Sequence, residues 1–526
     1  MFSVTLVSMT FLFSPVGSTR TGQNETLGYE QYLKALGSEP AALSAEAVPS
    51  DRKCPDLPVI TQVPVSFTTE AEDWKLQKPL TVLHERAGSS GSGYIGTLPA
   101  KKESAVTVPL NIQATQHYAV TLCAAADKTV TNAICVNGNL ISQFSLDGSG
   151  NFTKITFYGI FLEKGDALLT IDGIDGGLDL DYITIANDTT EYRPDFVLGK
   201  SPCNPHASAE TARLYDFLRR QWGKTMLTGQ YASDSANPEL RLIYQLTGQL
   251  PAIRFGTLGT DDDRAQISAA VDWHVYTQGI VGMIWQWNAP GTDSVYAEDT
   301  DFRFHSALAG KKPEQLAMLT PEEAEQEAQR GKLSEEALLI LKDIDEVAAS
   351  LQKLAYMDIP VLWRPLHEAG GGWYWWGASG REAYLKLWSL LWHRLTDYHK
   401  LNNLIWIWNG QSTAYLVPED TYDIASVDVY LQQRMQFGSR YEQFISLARI
   451  TNGRKMLALS ECSGLPDPDM MQVDASVWSF FGMWYGDYLM NPDGSFCDDN
   501  YSSKDLYNLY NSELALSLND FLSLYQ

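Results

Sequence analysis

The sequence predicts an α/β fold, a (β/α)8 TIM barrel over residues 196–526, preceded by an all-β sandwich (jelly-roll) domain over residues 54–192. The length of 526 residues exceeds one ordinary domain. Short β-rich runs separated by Gly and Asn turns fill the first range, as expected of a sandwich. Apolar runs alternate with amphipathic helical segments in the second range, as expected of parallel strands covered by helices.

The first 53 residues fit neither domain. Residues 4–16 form an apolar run that is too short to span a bilayer but long enough for the core of a signal peptide, and Gly17 and Ser18 are small residues that suit cleavage. We therefore predict a signal peptide over residues 1–18 and a secreted, extracellular protein. Residues 19–53 are polar and Ala/Ser-rich and predict a linker or arm.

The composition limits the kinds of molecule that the protein is expected to bind. A formal net charge of −25 disfavours nucleic acid and anionic membrane surfaces, which both select basic patches. The sequence contains no run of eighteen apolar residues, so we predict no membrane span. The acidic balance suits an enzyme that acts on a neutral polymer, and it is equally well explained by simple solubility.

Six cysteines in a secreted chain favour disulfides. Cys54 and Cys203 bracket the first domain, Cys123 and Cys135 are close enough in sequence to join neighbouring strands, and Cys462 and Cys497 share the C-terminal part. Six cysteines permit fifteen connectivities, so these pairings are only candidates. No CxxC spacing occurs, and a zinc site is not expected.

The strands of both domains can be placed from their apolar patterns. The sandwich prediction depends on runs at residues 105–110, 117–122, 154–158 and 167–172. The barrel prediction depends on eight candidates at residues 224–231, 251–256, 280–288, 359–368, 404–409, 424–430, 456–461 and 480–485. The segment 381–399 exemplifies the amphipathic helices between them.

The fourth barrel candidate ends in an unusual way. Its apolar run continues without a turn into Arg364, His367 and Glu368, and three glycines and a Trp-Tyr-Trp-Trp run from Trp373 follow. Glycines allow sharp turns, and indole faces pack against sugar C–H groups. This arrangement is typical of the C-terminal mouth of a barrel strand, where active sites lie. A core strand with a satisfied carboxylate is the plainer alternative.

The seventh candidate also ends in a glutamate, Glu461. Two carboxyl groups that face each other across a barrel mouth provide what glycosidic hydrolysis requires: an acid for the leaving oxygen, and a carboxylate that attacks the anomeric carbon or activates water. A separation of about 5–5.5 Å would indicate a retaining enzyme, and a wider gap an inverting one.

The run RPLHEAGGGWYWWG at residues 364–377, with ALSE at 458–461, resembles the signature of glycoside hydrolase family 26, whose best-known members are β-mannanases. The similarity spans roughly residue 196 to the C-terminus. It implies a (β/α)8 barrel, a retaining mechanism, Glu368 as acid/base and Glu461 as nucleophile, with no catalytic cofactor. We also expect Arg364 to keep Glu461 ionised and His367 to orient or hydrogen-bond it.

The resemblance and the strand ends add substrate-binding candidates. The family tyrosine near the nucleophile corresponds to Tyr430, an indole floor beneath the cleaved sugar to Trp484, and an aromatic residue on the leaving-group side to Trp373. Gln286 and Trp287 end the third strand. Relatives often have histidine where Gln286 stands, and Gln286 can still donate and accept hydrogen bonds.

The first domain resembles carbohydrate-binding module family 35 at residues 69–73, 91–96 and 178–183. In such modules an EAE sequence and a late aspartate hold a structural calcium ion, and Glu70, Glu72 and Asp181 correspond to them; hard oxygen ligands suit that ion. Ordinary edge-strand charges are the alternative. A sugar-binding face near Tyr94 or residues 173–177 is expected, with the choice left open.

The segment 297–336 is a long insertion after the third strand. Residues 302–308 are candidates for one wall of the cleft, and residues 320–329 predict a capped, charged helix. A long loop at the catalytic face can close subsites and favour exo action.

The leading functional hypothesis is therefore a monomeric, secreted β-1,4-mannanase that binds a β-mannan-type polysaccharide and neither nucleic acid nor membrane. The nearest alternative is an enzyme of the same family acting on mixed-linkage β-glucan or β-1,3-xylan. A non-catalytic polysaccharide-binding protein is the alternative from another class, although the presence of both glutamates argues against it.

Overall fold

The computed structural model describes most of both domains. The described residues are 32–34, 63–74, 80–100, 106–136, 139–162, 164–188, 196–260, 262–304, 311–430 and 438–525. The predicted signal peptide, most of the predicted linker and Cys54 lie outside them.

The N-terminal domain consists of two antiparallel sheets, as predicted. The strands are β1 Ser66–Glu70, β2 Thr81–Leu83, β3 Tyr94–Gly96, β4 Val106–Ile112, β5 Gln116–Ala126, β6 Val130–Val136, β7 Asn139–Leu146, β8 Thr153–Leu162, β9 Gly165–Asp172 and β10 Leu178–Asn187. One sheet has the order β2-β3-β10-β5-β8, with β1 paired to β10, and the other has the order β4-β9-β6-β7.

Successive side chains of a strand point to opposite faces of its sheet, which determines the residues of the sandwich core and the faces on which two cysteines lie. On β5 the core residues are Tyr118, Val120 and Leu122, so Cys123 lies on the opposite face of its strand. On β6 the core residues include Ile134 and Val136, which places Cys135 on the outer face of the other sheet.

The predicted disulfides do not form among the described residues. Cys123, Cys203, Cys462 and Cys497 are all free thiols. Cys123 and Cys135 cannot meet because they occupy opposite outer surfaces of the sandwich, so sequence proximity was the wrong criterion. The pairing proposed for Cys54 lies outside the described residues, although Cys203 is free.

The C-terminal domain is a closed parallel barrel. Its strands are β11 Met226–Leu227, β12 Gly229–Tyr231, β13 Ile253–Leu258, β14 Ile280–Trp285, β15 Val361–Arg364, β16 Leu404–Trp408, β17 Ile424–Val429, β18 Met456–Cys462, β19 Phe481–Met483 and β20 Ala515–Leu516. The barrel has the strand order β12 to β19, which confirms all eight predicted strands, and Gln230 on β12 pairs with Met483 on β19 to close the ring.

Helices surround the barrel. They are α1 Ala209–Gln221, α2 Pro238–Thr247, α3 Asp263–Thr277, α4 Pro313–Ala317, α5 Pro321–Gln329, α6 Glu335–Tyr356, α7 Trp375–Ala378, α8 Arg381–His393, α9 Tyr441–Ile450, α10 Pro468–Asp474, α11 Ser503–Tyr510 and α12 Leu518–Tyr525. No helix in the described part of the chain combines the length and apolar character that crossing a bilayer requires.

The insertion after the third barrel strand contains the predicted capped helix, α5. The Thr320 side chain accepts a hydrogen bond from the Glu323 amide, and the Glu323 side chain accepts one from the Thr320 amide, which is a complete capping box. Residues 305–310, which include most of the predicted cleft wall, lie outside the described residues.

The two domains touch along β8 and α9. The ring of His117 lies 4.3 Å from that of Tyr441, and Arg449 donates to the backbone oxygen of Tyr158 at 3.4 Å. Near the N-terminus, Tyr32 is buried in the barrel domain, and its ring lies 5.7 Å from the ring of Trp273. The predicted N-terminal arm is therefore anchored to the barrel at this point.

Candidate active site

Arg364 is the cation at the centre of the barrel mouth. It is the last residue of β15 and is fully buried. Its guanidinium donates to Asp428 at 2.9 Å and to the Tyr231 hydroxyl at 3.1 Å, and it also pairs with Glu461. A planar guanidinium with five donors can serve several partners at once, which a lysine could not do with the same geometry.

Glu461 lies on β18 itself, one residue before the strand ends. A register shift between β17 and β18 places it directly beside Asp428, and such irregularities in strand pairing redirect side chains near active sites. Its other oxygen accepts a hydrogen bond from the Tyr430 hydroxyl at 2.6 Å. Glu461 is therefore held by two donors, one of them charged.

Glu368 is positioned by a strained loop. It has a φ of 53°, and Leu366 in the same loop has a φ of 51°; positive φ is uncommon for non-glycine residues and clusters at functional sites. The Glu368 amide donates to the side-chain oxygen of Asn409 at 2.9 Å. Its carboxyl oxygens accept from Trp373 at 3.0 Å and Gln411 at 3.3 Å, so its donors are neutral.

Glu368, Asp428 and Glu461 bring carboxylate oxygens within 4.8 Å of one another. This closeness agrees with the spacing of about 5–5.5 Å between the carboxyl groups of a retaining glycosidase. The same spacing would suit a metal ion, but Arg364 already contacts oxygens of two of the three carboxylates. The positive charge in this cluster therefore comes from the chain.

The two glutamates differ electrostatically. Burial, with the charges of Asp428 and Glu461, raises the pKa of Glu368 well above its ordinary value. Burial also raises the pKa of Glu461, but Arg364 and the Tyr430 hydrogen bond oppose that rise. Glu368 therefore holds its proton to higher pH than Glu461 does, which is the division of roles between an acid and a nucleophile.

His367 does not contact Glu461 in the way we expected. Its ring lies 5.0 Å from Tyr374 and 5.4 Å from Trp376, whereas Arg364 and Tyr430 hold Glu461. Burial and the nearby Arg364 charge lower the pKa of His367 well below its ordinary value, so the imidazole is neutral. Consecutive residues in a loop turn their side chains to different neighbours, and only the fold decides which.

The tryptophans fall into two groups. Trp373 is 43% exposed and lies beside Glu368, and Trp484, directly after β19, packs 4.8 Å from Tyr231. Trp287, in contrast, is 3% exposed and donates to Asp343 of α6 at 2.8 Å. Trp287 is therefore placed against the helical layer, away from the catalytic carboxylates.

Gln286 lies near Tyr374. Burial raises the pKa of Tyr374 above its ordinary value, the charges of Glu368 and Glu461 raise this pKa further, and the nearby Gln286 side chain lowers it. Gln286 thus belongs to the same side of the mouth as the catalytic pair.

Several site residues were absent from the sequence-based candidates. Asp428 holds Arg364 and accepts from Ser460 at 2.6 Å and Asn409 at 3.1 Å. Tyr231 and Gln411 were not singled out. A polar residue directly after a buried strand is the signal that marks Asn409, and Asp428 lies one residue inside such an end.

The carboxylates proposed for calcium in the sandwich meet around one loop. Glu70 and Asp181 accept from the Ser90 hydroxyl at 2.7 and 3.3 Å, and Glu72 accepts from the Ser92 amide at 2.5 Å. The second oxygen of Glu72 is buried with no hydrogen-bond partner. A buried, unpaired carboxylate oxygen suits a hard cation, but among the described residues only Glu368, Asp428 and Glu461 bring three carboxylate oxygens within 4.8 Å of one another.

A parallel barrel that carries two closely spaced carboxyl groups of different acidity at its C-terminal mouth defines a retaining glycoside hydrolase. Residues 203–508 match the family described as glycosyl hydrolase family 26, and residues 67–187 match carbohydrate binding module family 35. The chain belongs to glycosyl hydrolase family 26 and carries a family 35 module before its barrel.

Relatives agree with this assignment. A mannan endo-1,4-β-mannosidase of Thermothelomyces thermophilus is 31% identical over 91% of this chain and 95% of its own length. A Piromyces enzyme, mannan endo-1,4-β-mannosidase A, is 29% identical over 86% of this chain and 72% of its own length. The crystal structure of a Podospora anserina GH26-CBM35 β-(1,4)-mannanase is similar, with a TM-score of 0.55 and 28% sequence identity. The match covers 88% of this chain and 99% of the mannanase chain.

Proposed function

We propose that this protein hydrolyses β-1,4-mannosidic linkages in mannan and galactomannan by double displacement, cleaving within the chain. The observation that carries the proposal is the pairing of Glu368 and Glu461 at the barrel mouth, with only Glu461 held by a cation. The substrate is inferred from relatives named mannan endo-1,4-β-mannosidase.

In the first step, a Glu461 carboxylate oxygen attacks the anomeric carbon while the bond from that carbon to the leaving oxygen breaks. The Glu368 proton passes to the leaving oxygen, so the departing sugar leaves as a neutral alcohol. Arg364 and the Tyr430 hydroxyl favour the ionised form of Glu461, which makes the attack. The products are a glycosyl-enzyme ester and the shortened chain.

In the second step, Glu368, now a carboxylate, removes a proton from water. The resulting hydroxide forms a bond to the anomeric carbon, and the ester bond to Glu461 breaks. Glu368 ends protonated and Glu461 ionised, as at the start. Because the buried setting of Glu368 favours its neutral form, the residue is well suited to take up this proton again.

Reducing-sugar release from linear mannan, galactomannan, barley β-glucan and β-1,3-xylan tests the proposal. We expect activity on the mannans alone, lost in both Glu368→Ala and Glu461→Ala. Activity only on glucan or xylan would keep the chemistry and replace the substrate. Polymer binding without turnover in the unmodified protein would instead support the adhesion alternative. Early release of long oligosaccharides would indicate endo cleavage, whereas short uniform products would support the exo hypothesis for the long insertion.

The sandwich is proposed to bind polysaccharide and to hold a structural calcium ion through Glu70, Glu72 and Asp181. The unpaired oxygen of Glu72 supports the ion, and the family 35 match supports the binding role. Such an ion would tie the loop around Ser90 to β1 and β10. Calorimetric titration of the calcium-free protein with Ca²⁺ checks the ion, with Glu72→Gln as the variant in which binding is expected to disappear.

Secretion and the monomeric state are further parts of the proposal. The apolar segment at residues 4–16 supports export. Recovery of the protein from culture medium, with a mature N-terminus near residue 19, tests it; retention inside the cell with Met1 intact would contradict it. Light scattering on the purified protein should give a mass near 58.6 kDa, less the removed peptide.

A further inference from the structure

The loop after β16 places an amide beside the acid/base carboxyl. Gln411 donates from Nε2 to Oε1 of Glu368 at 3.3 Å. It is the third residue after the strand and has a φ of 55°, an uncommon conformation for a side-chain-bearing residue. The conformation directs the Gln411 side chain toward Glu368.

Two backbone contacts fix the loop relative to Glu368. The Glu368 amide donates to the Asn409 backbone oxygen at 2.7 Å, and the Gly370 amide donates to the Gly410 oxygen at 3.0 Å. A Cβ on Gly370 would lie 2.7 Å from the Gly410 oxygen, so only glycine allows this approach. The position of Gln411 is therefore determined by the same contacts that position the acid/base.

The two oxygens of Glu368 face different donors. Oε1 accepts from Gln411, and Oε2 accepts from the indole of Trp373. Neither nitrogen can accept a hydrogen bond in return, so each donor restrains one oxygen and together they hold the plane of the carboxyl group. Trp373 is 43% exposed, so Oε2 is the oxygen on the open, solvent-facing side.

We propose that Gln411 is a positioning residue that, together with Trp373, fixes the plane of the Glu368 carboxyl group and so aims its catalytic proton at the leaving oxygen. The inference builds on the proposed glycosidase function. Gln411 does not touch the reacting atoms; it acts by limiting rotation of the carboxyl group. Without it, only Trp373 restrains the carboxyl group, which then rotates away from the productive orientation for part of the time.

Leaving-group dependence separates this role from a structural one. A sugar hydroxyl is a poor leaving group and requires the proton of Glu368, whereas 2,4-dinitrophenolate departs without one. For the aryl substrate, kcat/KM reports only the formation of the glycosyl-enzyme, which then does not depend on Glu368 as an acid. Loss of Gln411 should therefore affect the two substrates unequally.

The experiment compares kcat/KM for mannopentaose and for 2,4-dinitrophenyl β-mannobioside in the full-length protein and in Gln411→Met, which keeps the side-chain length but removes the donor. Ser412→Ala, in the same loop, is the matched control. We expect Gln411→Met to lower kcat/KM for the oligosaccharide about three- to tenfold, the range of one neutral hydrogen bond. The value for the aryl substrate should stay within about twofold, and Ser412→Ala should change neither.

Equal losses on both substrates, or no loss on either, would overturn the inference, as would a Ser412→Ala variant that reproduced the effect. If Gln411→Met does not fold, Gln411→Ala allows the same comparison. A full-length protein inactive on both substrates would contradict the proposed function itself. Robust activity with no substrate difference in the variant would contradict only the role of Gln411.

Discussion

Three carboxylates lie close together at the barrel mouth, and three others lie around one loop of the sandwich. Different groups balance their negative charge in the two places. At the mouth, Arg364 contacts Asp428 and Glu461 directly. In the sandwich, Glu70, Glu72 and Asp181 are held by the hydroxyl and amide groups of Ser90 and Ser92. A built-in cation holds catalytic groups in a fixed protonation order, whereas a cluster with only neutral donors is suited to an added ion.

Replacing the nucleophile should have the largest effect. Glu461→Gln keeps the side-chain shape but removes the attacking carboxylate, so kcat on mannan should fall by at least about 10³-fold. Mannan binding, measured by affinity electrophoresis, should remain because the sandwich and the aromatic residues are unchanged. Activity within tenfold of the unmodified enzyme would refute the assignment of Glu461.

Asp428→Asn should have the next largest effect, because it removes an ion-pair partner of Arg364 and a negative charge beside Glu368. We expect kcat to fall about 10- to 100-fold as Arg364 loses its geometry. Without that charge the pKa of Glu368 becomes lower, although burial still raises it.

The pH profile gives this second prediction its sign. Glu368 must be protonated to act as an acid, so activity is lost as pH rises through its pKa, and a lower pKa moves that loss to lower pH. The measurement is kcat/KM against pH. Asp345→Asn, which affects the distant Arg394 pair, is the control and should leave the alkaline limb in place; an unmoved limb in Asp428→Asn would contradict the electrostatic account.

Calcium removal should act on the other cluster alone. EDTA should lower the thermal midpoint of the sandwich by roughly 5–10 °C, the size expected for losing a ligand present well above its dissociation constant. Glu72→Gln should remove the EDTA response, whereas Glu85→Gln, an exposed carboxylate of the same domain, should retain it. Activity on a short soluble mannooligosaccharide should be unchanged, because the barrel supplies its own cation.

Reducing agent should have the smallest effect. Since Cys123, Cys203, Cys462 and Cys497 are free thiols, dithiothreitol should leave the unfolding midpoint of the full-length protein within about 1 °C by differential scanning calorimetry. A decrease of several degrees would show a disulfide that contributes to stability.

The sequence carried much of the fold because strand ends leave a local signal. All eight barrel strands, the capped helix α5, the glutamate after β15 and the glutamate on β18 were predicted from apolar runs, capping residues and polar residues at strand ends. The substrate-binding candidates were less well determined. Trp287 and Gln286 are adjacent, and the sequence alone does not say which side chain faces the mouth.

What the sequence by itself determined, then, was the order of the elements and the chemistry available at their ends, because periodicity and composition are local properties. The tertiary structure decided which of those groups meet. The register shift beside Asp428, the positive φ of Glu368 and the contact with Gln411 bring together residues from three different strand ends. Such long-range contacts depend on how strands pair around the closed barrel, and no short stretch of sequence encodes that.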